Sequence, residues 1–263
     1  MSDVEGSASR LVLERVLAST PAFIPYLMAG DPDLPTTRQF VEVVARAGAS
    51  AIELGVPYSD PLADGPTIAA AGQRALANGV TLREVLELVR SVAKNVPPIL
   101  LFTYYNPLLQ HGLERFARDA AEAGVSGAIV PDLALEEVEP LRRLLIGQGL
   151  VMPLLVAPTT PPLRATEIAE KASGFVYVVS RLGVTGANKA PNVEPIRGRI
   201  AQLRKATELP LAVGFGISTA EHVRAVREIV DAVIVGSALI DAYAGASGAE
   251  AVRRVEALAR SLR

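Results

Sequence analysis

The chain contains no cysteine, which excludes disulfides, thiolate nucleophiles and cysteine-bound zinc. Histidine is nearly as scarce. His111 and His222 stand far apart, so a histidine-rich metal site is excluded as well. No basic stripe is present: 26 Lys and Arg against 28 Asp and Glu leave a net charge of −2, mixed along the chain. Nucleic acid is therefore not an expected partner, and a polyanionic ligand would have to be held by local geometry. Long apolar runs are also missing. The most apolar late stretch, Ala232 to Ile240, is far shorter than the ~20 residues of a membrane-spanning helix. The N-terminus carries Asp3 and Glu5 and no apolar signal core. The expectation is a soluble cytoplasmic protein that does not contact membrane.

What the chain does have is a repeating alternation. Half of its 263 residues are hydrophobic. Compact apolar runs at Phe23–Met28, Ala51–Leu54, Ile99–Thr103, Gly127–Val130, Val151–Val156, Phe175–Val179, Leu211–Gly214 and Ala232–Val235 read as strands buried on both faces. Between them lie segments with one apolar stripe each, such as Phe40, Val43, Val44 and Ala47 within Thr37–Ala47. Further helices are predicted over Leu82–Ala93, Leu113–Ala123, Glu136–Leu145, Arg164–Ala172, Val193–Ala206 and Ala220–Ile229. Strict βα alternation implies a parallel sheet. Even spacing, and the lack of a Gly-x-Gly-x-x-Gly turn after the first strand, favour an eight-stranded (β/α)₈ TIM barrel over an open sheet. The predicted organisation is α/β, a single domain over residues 1–263, with an extra N-terminal helix at Leu11–Leu17 and a closing helix at Ala249–Leu262. Gly183–Asn192 is the expected mobile loop.

In such a barrel the chemistry sits in the loops after the strands. Ile52 and Leu54 should face the helices, which turns Glu53 into the barrel mouth. There desolvation would raise its pKa toward a value useful for proton transfer, although a barrel-interior ion pair is an equal alternative. The long loop Gly55–Thr67 holds Asp60 and Asp64, each of which alone reads as a turn or capping residue. Gly183–Gly186, Gly214–Gly216 and Gly236–Ser237 follow the last three strands. Glycine turns at a helix N-terminus can hold phosphate without net positive charge, and ordinary tight turns are the competing reading. Arg181 and Lys189 flank the glycine-rich loop as phosphate contacts, as partners of Asp when the loop closes, or as solvated charges. Tyr26, Phe102, Tyr104, Tyr177 and Phe215 stand at strand ends, where an aromatic mouth would suit a flat ring.

The ungapped run Glu53-Leu54-Gly55-Val56-Pro57-Tyr58-Ser59-Asp60-Pro61-Leu62-Ala63-Asp64-Gly65-Pro66-Thr67-Ile68 resembles the signature of the tryptophan synthase alpha chain. The resemblance continues through Pro25-Tyr26, Gly30-Asp31-Pro32, Thr103–Pro107, Pro131–Leu133, Phe175–Ser180, Gly183–Gly186, Gly214–Ile217 and Gly236–Ala238. It implies a lyase that cleaves indole-3-glycerol phosphate to indole and glyceraldehyde 3-phosphate. Glu53 is implied as the general acid/base, Asp64 as the contact to the indole N–H, and Tyr177 as a tyrosine near the reacting side chain. Gly186, Gly216, Gly236 and Ser237 match the phosphate cradle, and Thr185 matches the closing-loop threonine that orients the catalytic aspartate. Tyr26, Phe102 and Phe215 are expected to touch substrate. No metal or organic cofactor is implied for this chain. Pyridoxal phosphate belongs to the family's beta subunit, the implied partner in an alpha2beta2 heterotetramer.

Two positions depart from the family pattern. Met28-Ala29 stands where Thr-Ala is frequent, and Ala134 stands where Pro usually follows Asp-Leu in a loop facing the beta subunit. The alternatives are a free-standing lyase, a catalytically silent barrel that binds a phosphorylated metabolite or only activates its partner, and another phosphate-binding barrel such as an isomerase.

Overall fold

The computed structural model describes Leu13, Val16, Leu17 and residues 21–180 and 193–263. Eight parallel strands form one sheet: β1 (Ala22–Met28), β2 (Ile52–Gly55), β3 (Ile99–Phe102), β4 (Val125–Ile129), β5 (Leu154–Val156), β6 (Val176–Val179), β7 (Leu211–Gly214) and β8 (Ala232–Val235). Their order is β4-β3-β2-β1-β8-β7-β6-β5, with β1 paired to both β2 and β8. The sheet curls until its two edges meet in a TIM barrel. Every residue of β1 is buried, as a strand between a packed barrel interior and an outer helical layer must be.

The seam between β4 and β5 is closed by a single bridge, Gly127 to Val151. Val151 N–H donates to the Ser126 carbonyl at 2.9 Å, and Ala128 N–H donates to the Val151 carbonyl at 3.0 Å. A β-carbon at position 127 would fall 2.4 Å from that carbonyl oxygen, so only glycine allows the two edges to approach. The predicted strand over Val151–Val156 is therefore shorter, beginning at Leu154. Pro153 separates the bridge from the strand, and proline brings no N–H to a ladder.

Two helices were not anticipated at their full extent. Pro66–Ala77 buries only Ala71, Gly72 and Ala75, residues too small to show as an apolar stripe. Tyr105–His111 is short, and its first N–H is taken by the Asp132 carboxylate at 3.0 Å. At the barrel floor, Leu13, Val16 and Leu17 are helical, and Leu13 and Leu17 are fully buried. Leu13 lies against the approach to β6, where a β-carbon on Gly174 would meet its Cδ2 at 3.2 Å. The last helix, Gly248–Ser261, packs on the helix Leu34–Arg46. Among the described residues the buried hydrophobic side chains, Tyr104 apart, form one cluster. The loop expected at Gly183–Asn192 lies outside the described residues.

Candidate active site

A cavity of about 270 Å³ opens at the C-terminal ends of the strands. A larger groove, about 570 Å³, runs along the outer wall past Arg38, Arg46 and Lys94, but it is remote from the strand ends, so volume alone does not mark the site. The inner cavity collects Tyr26 from β1, Glu53 from β2, Phe102 from β3 and Tyr177 from β6, together with Asp64 and Phe215 from loops. Alternation along β2 explains Glu53. Ile52 and Leu54 are fully buried against the outer layer, and the carboxylate between them points inward.

Glu53 is 1% exposed, and neither carboxylate oxygen has a hydrogen-bond partner among the described residues. Burial, reinforced by the nearby charge of Asp64, pushes its pKa up to about 8. Asp64 is half-buried. Burial raises its pKa to about 6, and a hydrogen bond from the Tyr104 hydroxyl works in the opposite direction. Tyr104 also accepts the Ala63 N–H at 3.0 Å and stacks on Tyr58 with ring centroids 5.1 Å apart. The end of β3 thus pins the loop that carries Asp64. Asp60 is exposed and accepts from its neighbour Ser59, which is turn chemistry.

The aromatic residues wall a slot. Tyr26 meets Phe102 edge-on at 5.9 Å, and Tyr177 meets Phe215 edge-on at 5.8 Å. Phe215 has φ +66°, which is uncommon for a residue with a side chain. Gly216 follows at φ +79°. The Ser180 hydroxyl supports this turn through the carbonyls of Phe215 at 2.6 Å and Gly214 at 3.1 Å. Across the cavity, Gly236 precedes the helix Ser237–Tyr243, whose first N–H groups have no partner within the helix. None of the cavity-lining side chains among the described residues is cationic. An anion there would be held by backbone N–H groups at Gly216, Gly236 and Ser237.

Of the residues singled out from sequence, the structure brings together Tyr26, Glu53, Asp64, Phe102, Tyr177, Phe215, Gly216, Gly236 and Ser237. Thr185, Gly186, Arg181 and Lys189 lie outside the described residues. Tyr104 is more than one aromatic of the mouth: it holds the Asp64 loop, which its sequence position does not reveal. Sequence reading does not single out Ser180, Thr67 or Asp241 as site residues. Nothing in their local sequence separates them from ordinary polar residues. Among the described residues no group of three or more His, Cys, Asp or Glu is arranged to hold a metal ion, and no helix is long and apolar enough to cross a membrane.

The family model for the tryptophan synthase alpha chain matches residues 15–263. The chain belongs to the tryptophan synthase alpha-chain family. The alpha chain of Synechocystis sp. is 48% identical over 244 residues, which is 92% of each chain. Subunit alpha from Legionella pneumophila superposes with a TM-score of 0.85 at 35% identity, covering 97% of this chain and 96% of that one. The structure from Pyrococcus furiosus, described as the tryptophan synthase a2b2 complex, superposes with a TM-score of 0.86 at 36% identity, covering 92% and 98%. Tryptophan synthase alpha chains are TIM-barrel lyases of tryptophan biosynthesis. Their reaction is the cleavage of indole-3-glycerol phosphate.

Proposed function

We propose that this chain cleaves indole-3-glycerol phosphate with Glu53 as the proton carrier and Asp64 as the electrostatic partner of the indole N–H. The observation that carries the reading is the unpartnered, buried carboxyl of Glu53 in an aromatic slot that also receives Asp64. The two environments set different protonation states at neutral pH: Glu53, near 8, holds its proton, while Asp64, near 6, is mostly ionised.

The Glu53 carboxylic acid donates its proton to indole C3. The ring nitrogen becomes cationic, and the ionised Asp64 stabilises that charge in a low-dielectric site. The Glu53 carboxylate then takes the proton from the hydroxyl on the adjacent side-chain carbon. The bond from C3 to that carbon breaks, its electron pair restores the indole, and the hydroxyl carbon becomes the aldehyde. Glu53 ends protonated, as it began. Tyr26, Phe102, Tyr177 and Phe215 hold the ring system, and Gly216, Gly236 and Ser237 hold the phosphate.

Replacing Glu53 by Gln keeps shape and removes proton transfer. We expect turnover to fall by about 10³-fold or more, with substrate binding and the folded state retained. Unchanged turnover removes Glu53 from the mechanism.

The beta subunit is the proposed partner. Leu62, 90% exposed, stands on the loop after β2, and Leu163, 82% exposed, starts the helix after β5. Leu109, half-exposed, lies beyond β3. Large apolar side chains in the open on the face that carries the active site suit a protein interface. Indole release should rise when a beta subunit is added, and less so for Leu62→Ser. High turnover that ignores the beta subunit favours a free-standing lyase.

A further inference from the structure

We infer that Asp31 is a positioning residue that sets the spacing between the two halves of this site, the Asp64 loop and the phosphate turn. The inference rests on the proposed lyase reading and adds a residue that does not line the cavity.

Asp31 is fully buried just beyond β1. Arg74 grips it with both prongs of the guanidinium, Nε to Oδ1 at 2.8 Å and Nη2 to Oδ2 at 2.7 Å. The Tyr243 hydroxyl donates to Oδ2 at 2.6 Å. One carboxylate therefore joins two helices. Arg74 belongs to Pro66–Ala77, which begins two residues after Asp64, and Tyr243 ends Ser237–Tyr243, whose first residue lines the proposed phosphate site.

The loop bearing Asp31 is itself held. Gly30 N–H donates to Thr37 Oγ1 at 3.0 Å, and Asn78 Nδ2 donates to the carbonyls of Pro32 at 2.6 Å and Gly30 at 3.2 Å. At the cavity end, Thr67 Oγ1 donates to Asp241 Oδ1 at 3.2 Å, an exposed contact. The charge-assisted, bidentate tie, buried at Asp31 and half-exposed at Arg74, is the stronger of the two. It acts at a lever arm: Arg74 lies seven residues beyond Thr67, on the order of 10 Å along a helix. Losing the deep tie would let both helix starts drift, and they carry opposite ends of the substrate site.

The test separates position from mere stability. For Asp31→Asn we expect KM for indole-3-glycerol phosphate to rise about tenfold and kcat to fall as well, with the alkaline limb of the pH profile unmoved, since drift of the phosphate turn weakens binding and drift of the Asp64 loop costs alignment. Affinity for inorganic phosphate, followed by calorimetry, should weaken in parallel. Tyr243→Phe removes one bond and keeps the ring against Phe40, 4.8 Å away. It should give a smaller rise in KM of the same kind, and it is the deciding variant if Asp31→Asn does not fold. Lower melting temperatures with unchanged KM and phosphate affinity overturn the inference. If the parent chain fails to cleave indole-3-glycerol phosphate, the lyase reading falls, and the phosphate titration still reads the positioning role.

Discussion

The Tyr26 hydroxyl stands directly over Gly55, 2.1 Å from where a β-carbon on that residue would lie. Tyr177 stands over Gly214 in the same way, at 2.3 Å. The register is identical in the two places. Tyr26 pairs with Glu53 and Tyr177 with Ala212, and each glycine lies two residues beyond its tyrosine's partner. Strand twist leans each ring toward the next strand's end, and only a residue without a side chain leaves room for it. Gly55→Ala and Gly214→Ala should each cost about 1–3 kcal/mol through overpacking and should lower kcat/KM by displacing the ring into the cavity. Adding Tyr26→Phe to Gly55→Ala, or Tyr177→Phe to Gly214→Ala, removes the nearest clashing atom. We expect partial recovery of stability in chemical denaturation. An additive loss in the double variants would contradict the arrangement.

The pH profile of kcat/KM should fall on the alkaline side near 8, where Glu53 loses the proton it must donate. The acidic fall near 6 has two sources, protonation of Asp64 and that of the substrate phosphate, whose second pKa is also ~6. Asp64→Asn should lower activity, move the alkaline limb to lower pH because the Asp64 charge helps to hold the Glu53 pKa up, and leave the acidic limb to the phosphate alone. An alkaline limb unchanged in position in Glu53→Asp would argue against the assignment.

Stability should carry the same signature. The folded-state pKa of Glu53 lies above its ordinary value of 4.5, so between about 4.5 and 8 the folded chain binds a proton that the unfolded chain has released. Its contribution is complete below the lower value and is lost as pH rises through the upper one. Glu53→Gln carries no such titration. The variant should therefore gain on the parent protein as pH rises across that window, by on the order of a few kcal/mol at its upper end. Urea denaturation at several pH values measures it, and a constant difference would show that Glu53 titrates normally.

Phe215 supplies a fourth test. A left-handed conformation costs a residue with a side chain ~1–2 kcal/mol relative to glycine. Phe215→Gly should therefore be more stable than Phe215→Ala by about 1 kcal/mol, while both lose affinity for the indole ring. Ser180→Ala, which releases the Phe215 carbonyl, should raise KM with little effect on folding. Equal stability of the glycine and alanine variants would mean that the turn is not held where it is seen.

The alternation of short apolar runs with striped helices was enough to read eight strands and a closed parallel barrel, because burial on both faces leaves its mark residue by residue. The same local logic turned Glu53 inward, since a strand's two faces follow from every second residue. Asp64 could be told from Asp60 only by resemblance: their local sequences are alike, and it is Tyr104, from the loop after β3, that draws one loop carboxylate into the cavity and leaves the other in water. Asp31, Arg74 and Tyr243 are separated by up to 212 positions and carry no shared pattern. Their meeting is a product of barrel closure, which brings the first βα loop against the last. Local periodicity records which side of an element is buried. Which distant polar groups then satisfy one another is settled by packing, and there the pKa values and the spacing of the site are made.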